Sequence, residues 1–276
     1  MLFDAHAHLN EGRFSDEERR EICREIEAYG NLAFVADIGY DLPSSRVAAE
    51  TAAKYPWCVA AVGVHPHDAK TLSEEVLTGI KELTGKTRVK AIGEIGLDYY
   101  YMHSEKEVQR YWFRRQIALA NELKMPIVIH SREADRETMD ILVEEGAFSQ
   151  ERKDWFPVRN LADGTEVKDA RVYVHCFSGS AELAAEYVKL GGTIGICGPV
   201  TYKNNKKTIR VVEEIPLDYL LVETDMPYLS PEPKRGRPNR PWYVEYTAAK
   251  VAEIKKMEYE EVAEITCNNA RRFYGI

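Results

Sequence analysis

What most limits the folds open to this chain is an alternation along its whole length: short apolar, β-branched runs separated by longer amphipathic stretches. The apolar runs are residues 1–6, 33–38, 58–64, 89–95, 126–130, 172–176, 193–197 and 219–223. Helical spacing occupies residues 15–29, 44–55, 73–83, 104–124, 134–145, 181–190 and 204–214, then a final pair near 241–256 and 258–274. Runs that are apolar throughout must be covered on both faces, so the intervening helices imply a parallel sheet buried between them. Eight such units in 276 residues predict a closed (β/α)8 TIM barrel, α/β in class, as a single domain over 1–276. An open doubly wound sheet is the alternative.

The two architectures differ in where chemistry-bearing residues should fall. A barrel gathers the C-terminal ends of all its strands onto one rim, whereas an open sheet offers a crevice at one switch point. Here the candidates follow strand after strand: His6 and His8, then His65, Glu94, His130 and His175, and last Glu223 and Asp225. Ser15 and Ser104 each stand three residues before a glutamate, Glu18 and Glu107, in the order of a capping box. Residues 147–171 lack periodicity and follow the fifth helix, which places them as an inserted connection on the N-terminal face. Within them, Asp163-Gly164 between 156–161 and 165–168 suggests a small hairpin.

Charge narrows the functions. With 37 basic against 45 acidic residues the net charge is −8, which excludes binding by broad neutralisation of phosphates. The five cysteines are never closer than 21 residues, so neither a disulfide framework nor a CxxC zinc site is indicated, and reduced, packed thiols are expected. No apolar stretch approaches the ~18 residues of a bilayer span, and Asp4 and His6 interrupt any N-terminal apolar run; a cytoplasmic protein with no membrane partner is expected.

His6-Ala7-His8 at a strand end puts both imidazoles on one side, because strand side chains alternate. With Glu94, His130, His175 and Asp225 the pair makes four imidazoles and two carboxylates at strand ends, which exceed one four-coordinate zinc site but suit two divalent ions sharing a bridging carboxylate. Imidazole-rich donors fit Zn2+, Mn2+ or Fe2+.

The stretches Asp4-Ala5-His6-Ala7-His8, Gly63-Val64-His65-Pro66, Gly93-Glu94-Ile95-Gly96-Leu97-Asp98, His130-Ser131-Arg132, His175-Cys176-Phe177-Ser178-Gly179 and Glu223-Thr224-Asp225-Met226-Pro227-Tyr228-Leu229 resemble the TatD-type metal-dependent deoxyribonucleases of the amidohydrolase superfamily. The resemblance runs from Leu2 to the C-terminus. It implies a first ion held by His6, His8 and Asp225, a second by His130 and His175, and Glu94 bridging both. It also implies Mg2+, with His65 contacting the scissile phosphate. Asp225 is placed to orient the attacking water or take its proton, and Glu223 to fix a ligand imidazole.

An acidic chain can act on DNA if positive charge is concentrated on the rim. Lys203, Lys206, Lys207 and Arg210 follow the seventh strand, and Lys234, Arg235, Arg237 and Arg240 the eighth. Rim tyrosines, Tyr99, Tyr100, Tyr101, Tyr202 and Tyr228, are candidates to stack unpaired bases. The expected activity is therefore hydrolysis of DNA by metal-activated water, at ends or on single strands, by a monomer or weak homo-oligomer, and the resemblance implies the 3′ end. The alternative is another amidohydrolase-superfamily reaction on an ester, lactone or amide, because hydroxide and Lewis acid serve carbon as well as phosphorus.

Overall fold

The computed structural model describes residues 1–161 and 164–276. Eight parallel strands form one sheet: β1 (Leu2–Ala7), β2 (Leu32–Ile38), β3 (Cys58–Val62), β4 (Val89–Asp98), β5 (Ile127–Arg132), β8 (Val172–Val174), β9 (Gly192–Ile196) and β10 (Leu220–Val222). They pair in that order, each with its successor in the sheet. The seam between β10 and β1 is closed just past the strand ends. There Ala7 bridges Met226, His8 N–H donates to the Met226 carbonyl at 2.9 Å, and Asp225 N–H donates to that of His6 at 2.9 Å. Asp4 completes the seam, accepting the Thr224 amide at 2.8 Å and its hydroxyl at 2.5 Å.

Helices α1 (Asp16–Ala28), α2 (Leu42–Lys54), α3 (Glu74–Leu83), α4 (Lys106–Glu122), α5 (Asp135–Glu144), α7 (Ala181–Leu190), α8 (Lys206–Glu214) and α9 (Val244–Lys255) surround the sheet. Ser15 and Glu18 form the capping box that opens α1, and Asp41 with Ser44 forms another at α2. Ser104 does not cap. The residue before α4 is Glu105, whose side chain makes no cap bond, while the Ser104 hydroxyl donates to the His67 carbonyl at 2.8 Å and accepts Lys70 N–H at 3.0 Å. The 3₁₀ segment Pro66–Thr71 lies close enough to compete for that hydroxyl.

Alternate strand residues divide into two cores. Phe3, Ala5, Ala36, Ile38, Val59, Ala61, Ala91, Val128, Tyr173 and Leu221 fill the barrel interior together with Phe273 and Tyr274 of α10 (Tyr259–Tyr274). The Tyr274 hydroxyl donates to the Ala5 carbonyl at 2.8 Å, so α10 plugs the end where the strands begin. The opposite strand faces meet the surrounding helices.

After α5 come α6 (Gln150–Asp154) and an antiparallel pair, β6 (Arg159–Asn160) with β7 (Glu166–Val167). The pairing is shorter than the sequence suggested, and Asp163 of the expected turn lies outside the described residues. Arg152 is fully buried here and donates to the carbonyls of Ala170 and Met125 and to Asn121 Oδ1. Asp169 accepts from both Arg159 and Arg272 at 2.9 Å. These partners precede β5 and β8 or belong to α10, away from the catalytic rim. No described helix is long and apolar enough to cross a membrane.

Candidate metal centre

Each donor lies within a barrel strand or just past its C-terminal end. β4 carries Glu94, β5 carries His130, and His175 follows β8 directly. β4 and β5 approach so closely that a Cβ at Gly96, where φ is +150°, would lie 1.9 Å from the His130 carbonyl oxygen. Only glycine lets these two strands bring Glu94 beside His130.

Glu94 sits between two imidazole pairs. Its Oε2 lies 3.4 Å from His6 Nε2 and 3.9 Å from His8 Nε2. Its Oε1 lies 2.7 Å from His130 Nδ1 and 2.8 Å from His175 Nε2. Asp225 Oδ1 completes the first set, 3.3 Å from His8 and 3.9 Å from His6. Donor atoms of His6, His8 and Asp225 all fall within 4.8 Å of one another, as do those of His65, Glu94 and His130.

Hydrogen bonds fix which nitrogens are free. His8 Nδ1–H donates to the Ile38 carbonyl at 2.8 Å, leaving Nε2 as the donor atom for an ion. His65 Nδ1 accepts the His67 amide at 3.1 Å, so its Nε2 carries the proton; that N–H faces Glu94 at 3.6 Å without a hydrogen bond to it. His130 is held from its far side. Its Nε2–H donates at 3.1 Å to Asp98, which also receives His67 Nε2 at 2.9 Å and the amides of Tyr100 and Tyr101 at 3.0 and 2.8 Å.

The group that fits is a pair of hard or borderline divalent cations. His6 is completely buried, yet neither of its ring nitrogens has a hydrogen-bond partner, a costly arrangement unless a cation takes up Nε2. Burial first, then His175, pushes the His6 imidazole down to about 3, so it is a neutral, ligand-competent base. Burial acts to raise the Glu94 carboxyl, but His175, His65 and His130 outweigh it and hold it well below its usual range. For Asp225, burial is likewise outweighed by His8 and His175, so its pKa is lowered.

Glu223 does not fix an imidazole. His175 Nδ1 is 3.8 Å from it and unpartnered, while Glu223 accepts the Cys176 amide at 2.5 Å and the Tyr173 hydroxyl. Burial, then Asp225, drives the Glu223 carboxyl well above its ordinary value.

Two cavities flank the centre and share His130, Arg132, His175 and Asp225. One, about 500 Å³, is bordered by His65, Tyr101 and Tyr228; the other, about 300 Å³, by Ser131, Cys176 and Asn205. Asn205 also borders a hollow containing Tyr202, Lys203 and Arg235, whose guanidinium lies 4.6 Å above the Tyr202 ring. Tyr228 donates to Glu11 and lies under Arg13. Arg237 is exposed and borders none of these hollows. Tyr99 turns elsewhere: its hydroxyl donates to Glu137 at 2.7 Å and Lys106 covers its ring. Arg210 is neutralised by Glu182 and Glu214.

Two residues that sequence reasoning gave no role stand out. Asp98 belongs to the motif containing Glu94, and Arg132 to the motif containing His130; both were visible there but not assigned. Arg132 lies 4.1 and 4.7 Å from the rings of Tyr100 and Tyr101, which are about half exposed.

The sequence matches the TatD related DNase family over residues 3–275. It is 43% identical over 276 residues, all of both chains, to the uncharacterised metal-dependent hydrolase YabD of Bacillus subtilis. It is 31% identical over 281 residues, again all of both chains, to a protein of Erwinia amylovora named 3′-5′ ssDNA/RNA exonuclease TatD. The crystal structure of the TatD homologue YJJV from Escherichia coli superposes with a TM-score of 0.84 at 27% identity, covering 100% of this chain and 98% of that one. The strand-end donors, the barrel that gathers them and these likenesses agree: the chain belongs to the TatD-related DNase family and is a metal-dependent hydrolase.

Proposed function

We propose that the protein hydrolyses phosphodiester bonds of DNA, removing nucleotides from 3′ ends of single strands. The observation that carries this reading is the two-sided Glu94, with one carboxylate oxygen turned to His6 and His8 and the other to His130 and His175. Two divalent ions, Mg2+ by family resemblance, would be held by His6, His8 and Asp225 on one side and by His130 and His175 on the other, with Glu94 between. Such ions would supply Lewis acidity and lower the pKa of water toward ~7.

The remaining work falls to the chain itself. Asp225, ionised and at the cavity edge, orients the attacking water and accepts its proton. His65 Nε2–H donates to a non-bridging phosphate oxygen, and Arg132, on the wall of both cavities, balances the charge that develops there. Lys203 and Arg235 guide the backbone in an otherwise acidic molecule, while Tyr228 and Tyr101 meet bases. Cavities of about 300 and 500 Å³ suit single nucleotides, which supports attack at ends. The name of the Erwinia amylovora relative supports the same polarity.

The test compares a linear single strand labelled at its 5′ end with a circular strand of equal length. Stepwise shortening of the linear strand with the circle intact is the expected result; rapid cleavage of circles sinks the exonuclease assignment.

A further inference from the structure

Cys176 and Cys197 are 21 residues apart in sequence, yet both line the 300 Å³ cavity. The cause is topological. β8 and β9 pair in parallel with Val174 opposite Ile194, so the chain leaving each strand emerges beside the other. The two Sγ atoms and a carboxylate oxygen of Glu223 lie within 4.8 Å of one another. Beside them, His175 Nδ1, on a residue 6% exposed, has no hydrogen-bond partner and lies 3.8 Å from Glu223, so it does not hold that carboxyl away from the thiols.

We propose that Cys176, Cys197 and Glu223 form a separate, inhibitory site for a thiophilic divalent cation such as Zn2+ or Cd2+. Thiolate sulfur selects soft and borderline ions and has little affinity for Mg2+, so excess Mg2+ leaves this site open to Zn2+ or Cd2+. Binding forms two metal–sulfur bonds and one metal–oxygen bond and breaks two S–H bonds and the O–H bond that burial maintains on Glu223; the three protons leave to solvent through the cavity that Cys176 borders. Inhibition follows from Glu223. That carboxyl group anchors the Cys176 amide at 2.5 Å, and Cys176 is joined directly to His175, which stands 2.8 Å from Glu94. An ion that engages Glu223 draws it off that amide and displaces His175.

The protein, kept reduced and saturated with Mg2+, is titrated with Cd2+ while near-ultraviolet absorbance and hydrolysis of bis(4-nitrophenyl) phosphate are followed together. The expected result is a sulfur-to-cadmium charge-transfer band that saturates at one equivalent and resists excess Mg2+, with the hydrolysis rate falling in step, whereas Cys197→Ala keeps its own rate over the same titration; an equal fall in that variant overturns the inhibitory role. Cys197→Ala and, separately, Cys176→Ser lose the band while retaining a native thermal transition. No band in the unmodified protein overturns the site, as does a band that survives in a folded Cys197→Ala variant. A band that grows while the rate stays constant overturns its inhibitory role. Because the ester is not DNA, failure of the DNase reading leaves these outcomes separate.

Discussion

His65 and His130 are both histidines at strand ends, yet their hydrogen bonds give them different work. The proton on His65 Nε2 makes it a donor, so His65→Asn should lower kcat/KM on DNA while the bound-metal content, read by atomic emission, stays unchanged. Loss of metal in that variant would make it a ligand instead. Asp98 acts through His130 by holding its Nε2–H. Asp98→Asn should cost about 10–100-fold in metal affinity or activity, with Asp98→Glu recovering part of the loss. Unaltered metal affinity and activity in Asp98→Asn would remove its positioning role. The donors themselves are legible in the sequence because each sits in a short motif. The tautomers are not, because the Ile38 carbonyl that sets His8 comes from another strand and the His67 amide reaches His65 only once the Pro66–Thr71 turn has formed.

At the scale of elements, strands were easier to place than caps. All eight apolar runs correspond to barrel strands, since a buried parallel strand leaves a continuous apolar signature that burial alone dictates. Ser104 carries the same local pattern as Ser15, but a tertiary contact with the Pro66–Thr71 segment claims its hydroxyl. Ser15→Ala should therefore cost roughly 1 kcal/mol, measured by urea unfolding, through loss of the α1 capping box. Helix α10 has a larger part, since Phe273 is 2% exposed and packs on Tyr173 within the barrel. Phe273→Ala should destabilise by about 3–5 kcal/mol, and a cost near zero would mean that α10 does not close the barrel floor.

For the whole molecule, the proposed ions and the net charge of −8 set the expectations. Chelation should abolish hydrolysis and lower the melting temperature, because ions at about 100 times their Kd contribute ~2.7 kcal/mol to the folded state. Re-addition of single ions identifies the metal, and a melting temperature indifferent to chelator would count against metal-linked stability. Raising salt should weaken DNA hydrolysis but barely change hydrolysis of a small phosphodiester, since in the proposed reading only the former draws on Lys203 and Arg235. The alternation of apolar runs and amphipathic helices by itself determined a parallel sheet covered by helices, candidate residues following strand after strand indicated its closure, and the order of motifs determined the family and the candidate donors. These are local or periodic properties that burial and ligand chemistry impress directly on sequence. Tertiary structure alone decided the rest: that Tyr99 turns to Glu137, that Arg210 is neutralised, that Glu223 serves Cys176 and Tyr173, and that two distant thiols meet. Those outcomes depend on which neighbours arrive first within hydrogen-bonding reach, and only the closed sheet brings those neighbours together.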